Sequence, residues 1–266
     1  DPTEWIDNRT FSGSIIGPLA GRYQTAGTTL EQNRPPLHFH GGSRGLDKAC
    51  WAYTLTTTDR EASIIFSLYD KEQALDITVT YTLHLNKQLT MEIVGKTETV
   101  AFFNPTNHLY FNLNGDPFQS VENHSLYLNA QGYYQEDHQK LLQQLTPLSE
   151  HTVLDFSQES GKSLEDLDSY GGLDTTFQLV GMETRTDAMV MKMAGGLFHP
   201  DNGRAIYFHT TLPAAVIFTF NQPQPLFHKG GRSYPKYAVI TFETQKPANR
   251  LELCRITKER PYYSKP

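Results

Sequence analysis

The stretch LDITVTYTLHL, residues 75–85, decides the fold. Its apolar side chains recur at every second position, the period of a strand with one face against a core. Asn86–Lys87 then marks a turn, and LTMEIV (residues 89–94) reads as the return arm of a hairpin. Upstream, ASIIFSLY (residues 62–69) is dense in β-branched and aromatic residues, as strands are. Downstream, Ala205–Thr210, Ala215–Phe220, Tyr237–Thr244 and Leu251–Thr257 read the same way. Helical signals are few. Tyr134–Leu145 carries acidic, Gln and Leu residues suited to a short helix, and Ser163–Leu167 suits one turn with Ser163 as its N-cap.

Turn residues recur at short, fairly regular intervals, which favours a sandwich or barrel over alternating βαβ units. No fixed-period repeat, low-complexity tract or linker interrupts the chain. Residues 1–266 are expected to form one all-β domain, built as a large antiparallel β-sandwich with few short helices. A domain of that length buries well over half of its unfolded surface.

Composition narrows the function classes. Lys plus Arg is 23 against 29 Asp plus Glu, a net charge of −6. No basic face for nucleic acid is expected from that balance. Charged residues are 20% and aromatics 12%, outside the range of disordered chains. Apolar runs are too short to span a bilayer, so no membrane partner is expected. The two cysteines, Cys50 and Cys254, lack metal-type spacing and fit free thiols in a reducing, cytoplasmic setting. The chain opens on Asp1 rather than Met.

Four segments break the strand rhythm with polar residues. HFHGGSRGLDKACW (residues 38–51) sets His38 and His40 on one face of an extended segment before a Gly41–Gly42 turn. The pair alone could ligate a metal, but no third ligand follows at a telling spacing, so no metal is expected. NPTNHLYFNLNG (residues 104–115) places His108 among Asn107, Tyr110 and Asn112, and an imidazole there can act as a general acid or base. YGGLDTTF (residues 170–177) carries Asp174 after two glycines. YAVITFETQKPANR (residues 237–250) ends an apolar strand on Glu243, a carboxylate that is costly there unless paired or chemically used.

In order and spacing these segments resemble the aldose 1-epimerase (galactose mutarotase) family. NHLYFNLNG is similar to its Asn-His-Ser-Tyr-Phe-Asn-Leu signature, with Leu109 at the serine. FHGG resembles its Leu-His-Gly-Gly motif, GGLDTTF its Gly-Phe/Tyr-Asp-His-x-Phe motif, and ITFETQKPANR its Leu-Glu-Thr-Gln ending. IIGPLAGRY, from Ile15, is similar to its Ile-Gly-Arg-x-Ala-Asn-Arg stretch. The resemblance implies a galactose mutarotase-like supersandwich with a sugar cleft on one sheet. It implies interconversion of the α and β anomers of free aldohexoses, of the galactose or glucose type, without cofactor. His108 would protonate the ring oxygen and Glu243 would take the anomeric proton, while Arg22, His40 and Asp174 would hold the sugar. The acid and base would face each other across a hexose-sized gap, His108 charged and Glu243 ionised. Trp51, Tyr110 and Phe218 would shape the cleft.

The chain also departs from the family. Gly21 stands where an Asn is usual, Val216 where a sugar-binding Gln is usual, and Ala248–Asn249 follow Pro247 directly. Strands that precede Asp1 in full-length relatives are lacking, which raises the expectation of a second fragment or subunit over that edge. The altered positions admit a non-catalytic sugar sensor on the same fold. A phosphosugar epimerase could draw on Arg44, Lys229 and Arg232, and a glycoside hydrolase on Asp174 and Glu243.

Overall fold

The structure, a computed structural model, describes residues 8, 10–150, 152–181, 191–222 and 234–264. The chain runs through strands β1 (Ala52–Thr57), β2 (Glu61–Asp70), β3 (Leu75–His84) and β4 (Leu89–Thr97). It continues through β5 (Tyr110–Phe111), β6 (Ser125–Leu128), β7 (Ala130–Glu136), β8 (Leu142–Pro147) and β9 (Asp174–Leu179). It ends through β10 (Lys192–Phe198), β11 (Ala205–Thr210), β12 (Ala214–Thr219) and β13 (Ile240–Gln245). Short strands and single helical turns fill the connections.

The strands β1 to β4 form an antiparallel meander that the short strand Tyr262–Ser264 extends along β4 to five strands. Its centre is the hairpin of residues 75–97. Leu75, Ile77 and Val79 are fully buried, and across from them Met91 and Ile93 cover the same core. Each such side chain contributes about 1.5–3 kcal/mol on burial. The turn closes because Lys87 takes a positive φ of 67° and Asn86 Oδ1 accepts from the Gln88 N–H at 3.1 Å. Gly95 is required on the return arm, since a Cβ there would lie 2.6 Å from the Phe103 ring.

A six-stranded antiparallel sheet, ordered β5-β13-β12-β9-β7-β8, carries the site. One face presents Phe177, Leu179, Ala215, Ile217, Ile240 and Phe242 to a core shared with Leu126, Leu128, Ala194 and Leu197 of a four-stranded sheet. That four-stranded sheet comprises β6, β10, β11 and Lys162–Ser163. With strands dominant, sheets antiparallel and helices short, the all-β expectation holds. Among the described residues, no helix is long and apolar enough to cross a membrane.

Several local expectations are corrected. Tyr134–Leu145 is not a helix: β7 and β8 pair across it as a hairpin. Asp137 makes the turn, its Oδ1 accepting from the N–H groups of Gln139 at 2.8 Å and Leu141 at 3.0 Å. Pairing of β7 with β9 outweighs a weak helical preference. Leu251–Cys254 is one helical turn, and strand begins only at Arg255–Thr257. Ser163 caps a bend through the Glu165 N–H, but Lys162–Ser163 is itself strand and the helical turn comes later, at Leu167–Tyr170. Cys50 is exposed, Cys254 is buried, and both are free thiols.

Candidate active site

The side of the six-stranded sheet turned away from its core is the floor of a cleft of about 370 Å³. Alternation along the strands decides what points there. Strand β13 sends Glu243 and Gln245 into the cleft, β12 sends Val216 and Phe218, and β9 sends Asp174 and Thr176. The register is tight: Val216 lies opposite both Glu243 and Thr176, and Asp174 opposite Phe218. Tyr110 of β5 closes one side, and its hydroxyl donates to the Thr10 carbonyl at 3.1 Å.

The wall comes from the first forty residues. Arg22 opens the short strand Arg22–Gln24, which pairs with Leu37–Phe39. At His40 the backbone turns to a φ of 50°, followed by Gly41 at 81°. A Cβ on Gly41 would collide with the Gly17 carbonyl at 1.8 Å, so the His-Gly-Gly turn demands glycine. This turn separates the two histidines that an extended chain would have put on one face. His38 bonds the Glu31 carbonyl at 2.9 Å, away from the cleft, while His40 lines it.

The Gly21 N–H donates to His40 Nδ1 at 3.0 Å. A neutral imidazole that accepts at Nδ1 carries its proton on Nε2. Burial first, then coupling to the neighbouring His108 imidazole and the Arg22 charge, hold His40 well below its usual range. His40 is therefore a neutral donor. Nitrogens and a carboxylate oxygen of His40, His108 and Glu243 lie within 4.8 Å of one another, a spacing that could close on a metal ion. The tautomer argues against it, because His40 would have to give up its Nε2 proton or its Gly21 bond to ligate.

His108 sits on the wall with its own N–H donating to the Ser14 carbonyl at 2.9 Å, and its Nε2 is 3.3 Å from Glu243 Oε1. The two groups thus touch, rather than facing each other across a hexose-sized gap. Both are buried, at 5% and 4% exposure. Burial pushes the Glu243 carboxyl up to about 8, with the Asp174 charge adding to the rise. Burial also pulls the His108 imidazole down to about 4. These directions oppose the charged pair that the resemblance implies and favour one proton between the two groups near neutral pH.

Arg22 Nη2 meets Asp174 Oδ2 at 3.3 Å, with side chains 21% and 32% exposed at the mouth. The cleft thus gathers His108, Glu243, Arg22, His40 and Asp174, with Tyr110 and Phe218 beside them. Trp51 is elsewhere, its indole N–H donating to the Leu46 carbonyl at 3.2 Å. Arg44 pairs with Glu72 outside the cleft, and Lys229 and Arg232 lie outside the described residues.

The Aldose 1-epimerase family model matches residues 1–251. The chain belongs to the aldose 1-epimerase family. It is 28% identical over 255 residues to a human galactose mutarotase, covering 91% of this chain and 72% of that one. It is 25% identical over 262 residues to an aldose 1-epimerase of Escherichia coli, covering 92% and 73%. A solved galactose 1-epimerase from Lactobacillus acidophilus superposes with a TM-score of 0.82 at 24% identity, covering 100% of this chain and 81% of that one.

In this aldose 1-epimerase family member, Gly21 and Val216 both line the cleft. Sequence reading missed Gln245, Glu136 and Lys140, which also line it. Gln245 was open to discovery, since it follows Glu243 by two residues on a strand. Glu136 was hidden by the helical reading. Burial raises its carboxyl, and Lys140 pairs with it at 2.9 Å.

Proposed function

We propose that this chain is a mutarotase that opens and recloses the ring of free aldohexoses, with His108 and Glu243 as its acid–base pair. The single observation that carries this is the buried 3.3 Å contact between their Nε2 and Oε1 atoms on the floor of a cleft walled by sugar-sized polar groups. The reaction is compatible with such closeness. The ring oxygen O5 and the anomeric O1 are bonded to the same carbon, so two neighbouring groups can serve them both.

The steps balance without a cofactor. One group of the pair takes the proton from O1–H as the C1–O5 bond breaks and the other gives its proton to O5, leaving an open aldehyde. Rotation about C1–C2 turns the other face of the carbonyl to O5. The O5–H proton then returns to the pair as O5 attacks, and O1 is reprotonated. In the sense the family resemblance implies, Glu243 is the base and His108 the acid. The proton must then cross from carboxyl to imidazole over their contact, a shift that the Asp174 charge favours at His108 but opposes at Glu243, where the Arg22 charge favours it. Each positioned acid or base contributes roughly 10²–10⁴-fold. His40 Nε2–H and Arg22 would donate to sugar oxygens, and Asp174 would accept from hydroxyls.

The exposed free thiol of Cys50 fits work in a reducing compartment such as the cytoplasm. Polarimetry on freshly dissolved α-D-galactose and α-D-glucose tests the proposal. Acceleration of the optical change supports it; binding of these sugars without acceleration would replace it with the sensor reading, which Val216 favours by removing a polar group from the floor.

A further inference from the structure

Gln245 is 1% exposed, lines the cleft, and neither Nε2 nor Oε1 of its amide has a hydrogen-bond partner among the described residues. Buried polar groups are almost always satisfied, and one left open on both its donor and its acceptor is costly. Other unpartnered buried atoms occur, but within the cleft they belong to His108, a proposed reacting group, and to Gln245.

The surroundings explain why the amide is open. The neighbour across β12 is Ala214, which offers no polar side chain. Gly21 and Ala248 flank the amide on the wall: a Cβ on Gly21 would lie 3.5 Å from Gln245 Nε2 and 2.6 Å from the Ala248 Cβ. The Gly21 N–H is already given to His40 and its carbonyl accepts from the His40 N–H. The backbone at Gly21 therefore cannot answer the glutamine, and with no side chain at residue 21 the amide is left without a partner on the wall of the cleft that Gln245 lines. Residue 21, a glycine, thus adjoins an amide with nothing to bond.

We infer that Gln245 is a specificity-determining residue that binds a pair of neighbouring sugar hydroxyls on ring carbons remote from C1. A primary amide carries a donor and an acceptor side by side, which suits two adjacent hydroxyls, one accepting from Nε2 and one donating to Oε1. Gln245 is two residues beyond Glu243 on one strand face, a separation of about 7 Å. With the anomeric oxygens at Glu243, that offset reaches the far side of a pyranose. Val216, opposite Glu243, contributes only an apolar surface, so Gln245 is the polar reader on this part of the floor. The inference rests on the mutarotase reading for the placement of C1.

Calorimetric binding of D-galactose, D-glucose and their 3-deoxy and 4-deoxy analogues to wild type and to Gln245→Leu tests it. Gln245→Met, which keeps the length of the side chain, serves where the leucine variant melts early. The variant is expected to bind its preferred parent hexose about tenfold more weakly or worse. A deoxy analogue lacking one of the two contacted hydroxyls keeps the other, so the variant's loss on that analogue should be smaller than its loss on the parent sugar, and the mutarotation loss should fall on KM rather than kcat. Equal affinity of variant and wild type for the parent sugar overturns the inference, as does one common loss across parent and both analogues. Failure of a wild type that binds in this pattern to speed mutarotation refutes the catalytic reading alone. Wild-type acceleration with an indifferent Gln245 variant refutes the inference alone.

Discussion

The five-stranded and six-stranded sheets are built on the same alternation and use it in opposite ways. In the first, one face covers a core and the other meets solvent, until at β1 every residue is exposed, Tyr53 and Leu55 at 65% each. A polar residue there carries no message. In the second, β13 is buried along all of Ile240–Gln245, although four of its residues are Thr, Glu, Thr and Gln. A polar residue on a strand covered on both faces must be bonded, or be used by something the strand waits for. The lesson is that burial on both faces, rather than polarity, sets the candidate site apart from the rest of the sheets.

The sharpest way to break the contrast is to remove charge chemistry from β13 without changing its shape. Glu243→Gln should lower the mutarotation rate roughly 10²–10⁴-fold, while its melting temperature stays level or rises, because no carboxyl must remain protonated in the interior. Polarimetry and thermal melting read the two quantities. The reverse experiment belongs to the other sheet. Ile77→Ala should cost about 2–5 kcal/mol of stability in urea titration, with kcat/KM per folded molecule unchanged. A catalytic loss there would mean that the two sheets are coupled.

Asp174→Asn at the cleft mouth should be intermediate. Its ion pair with Arg22 is partly exposed, so about tenfold in kcat/KM is expected, carried mostly by KM. The smallest effect is expected at the edge: Leu55→Lys should shift stability by less than about 0.5 kcal/mol. A larger loss would show that β1 is covered in solution by another chain or copy, which is where a second fragment or subunit would pair.

Much of this was legible in the chain. The hairpin of residues 75–97 was readable nearly to its ends, because one solvent face leaves clean alternation. The strand at Ala205–Thr210 was readable for the same reason. The hairpin of β7 and β8 was not. Gln, Glu and Leu between Tyr134 and Leu145 suit a helix locally, and what makes them strand is pairing with β9, some forty residues away. Placement of His108, Glu243, Arg22, His40 and Asp174 in one cleft came from resemblance, since no periodicity links residues so far apart. Their proton state was read as a charged pair because charge pairing is visible in residue types, whereas desolvation, which works against both charges, depends on burial that only the fold supplies. The same holds for His38 and His40: spacing puts them together, and a positive φ at His40 separates them.

The pH dependence of kcat/KM for mutarotation tests the shared-proton pair most directly. Activity should require one proton on the pair. Below about pH 4 His108 is protonated as well and no base remains. Above about pH 8 Glu243 has lost its proton with His108 neutral, and no acid remains. A bell with limbs near these two values is expected, belonging to the pair rather than to either residue, and Glu243→Gln should abolish its upper limb. A rate that stays flat from pH 4 to pH 9, or an upper limb that survives Glu243→Gln unchanged, would contradict it.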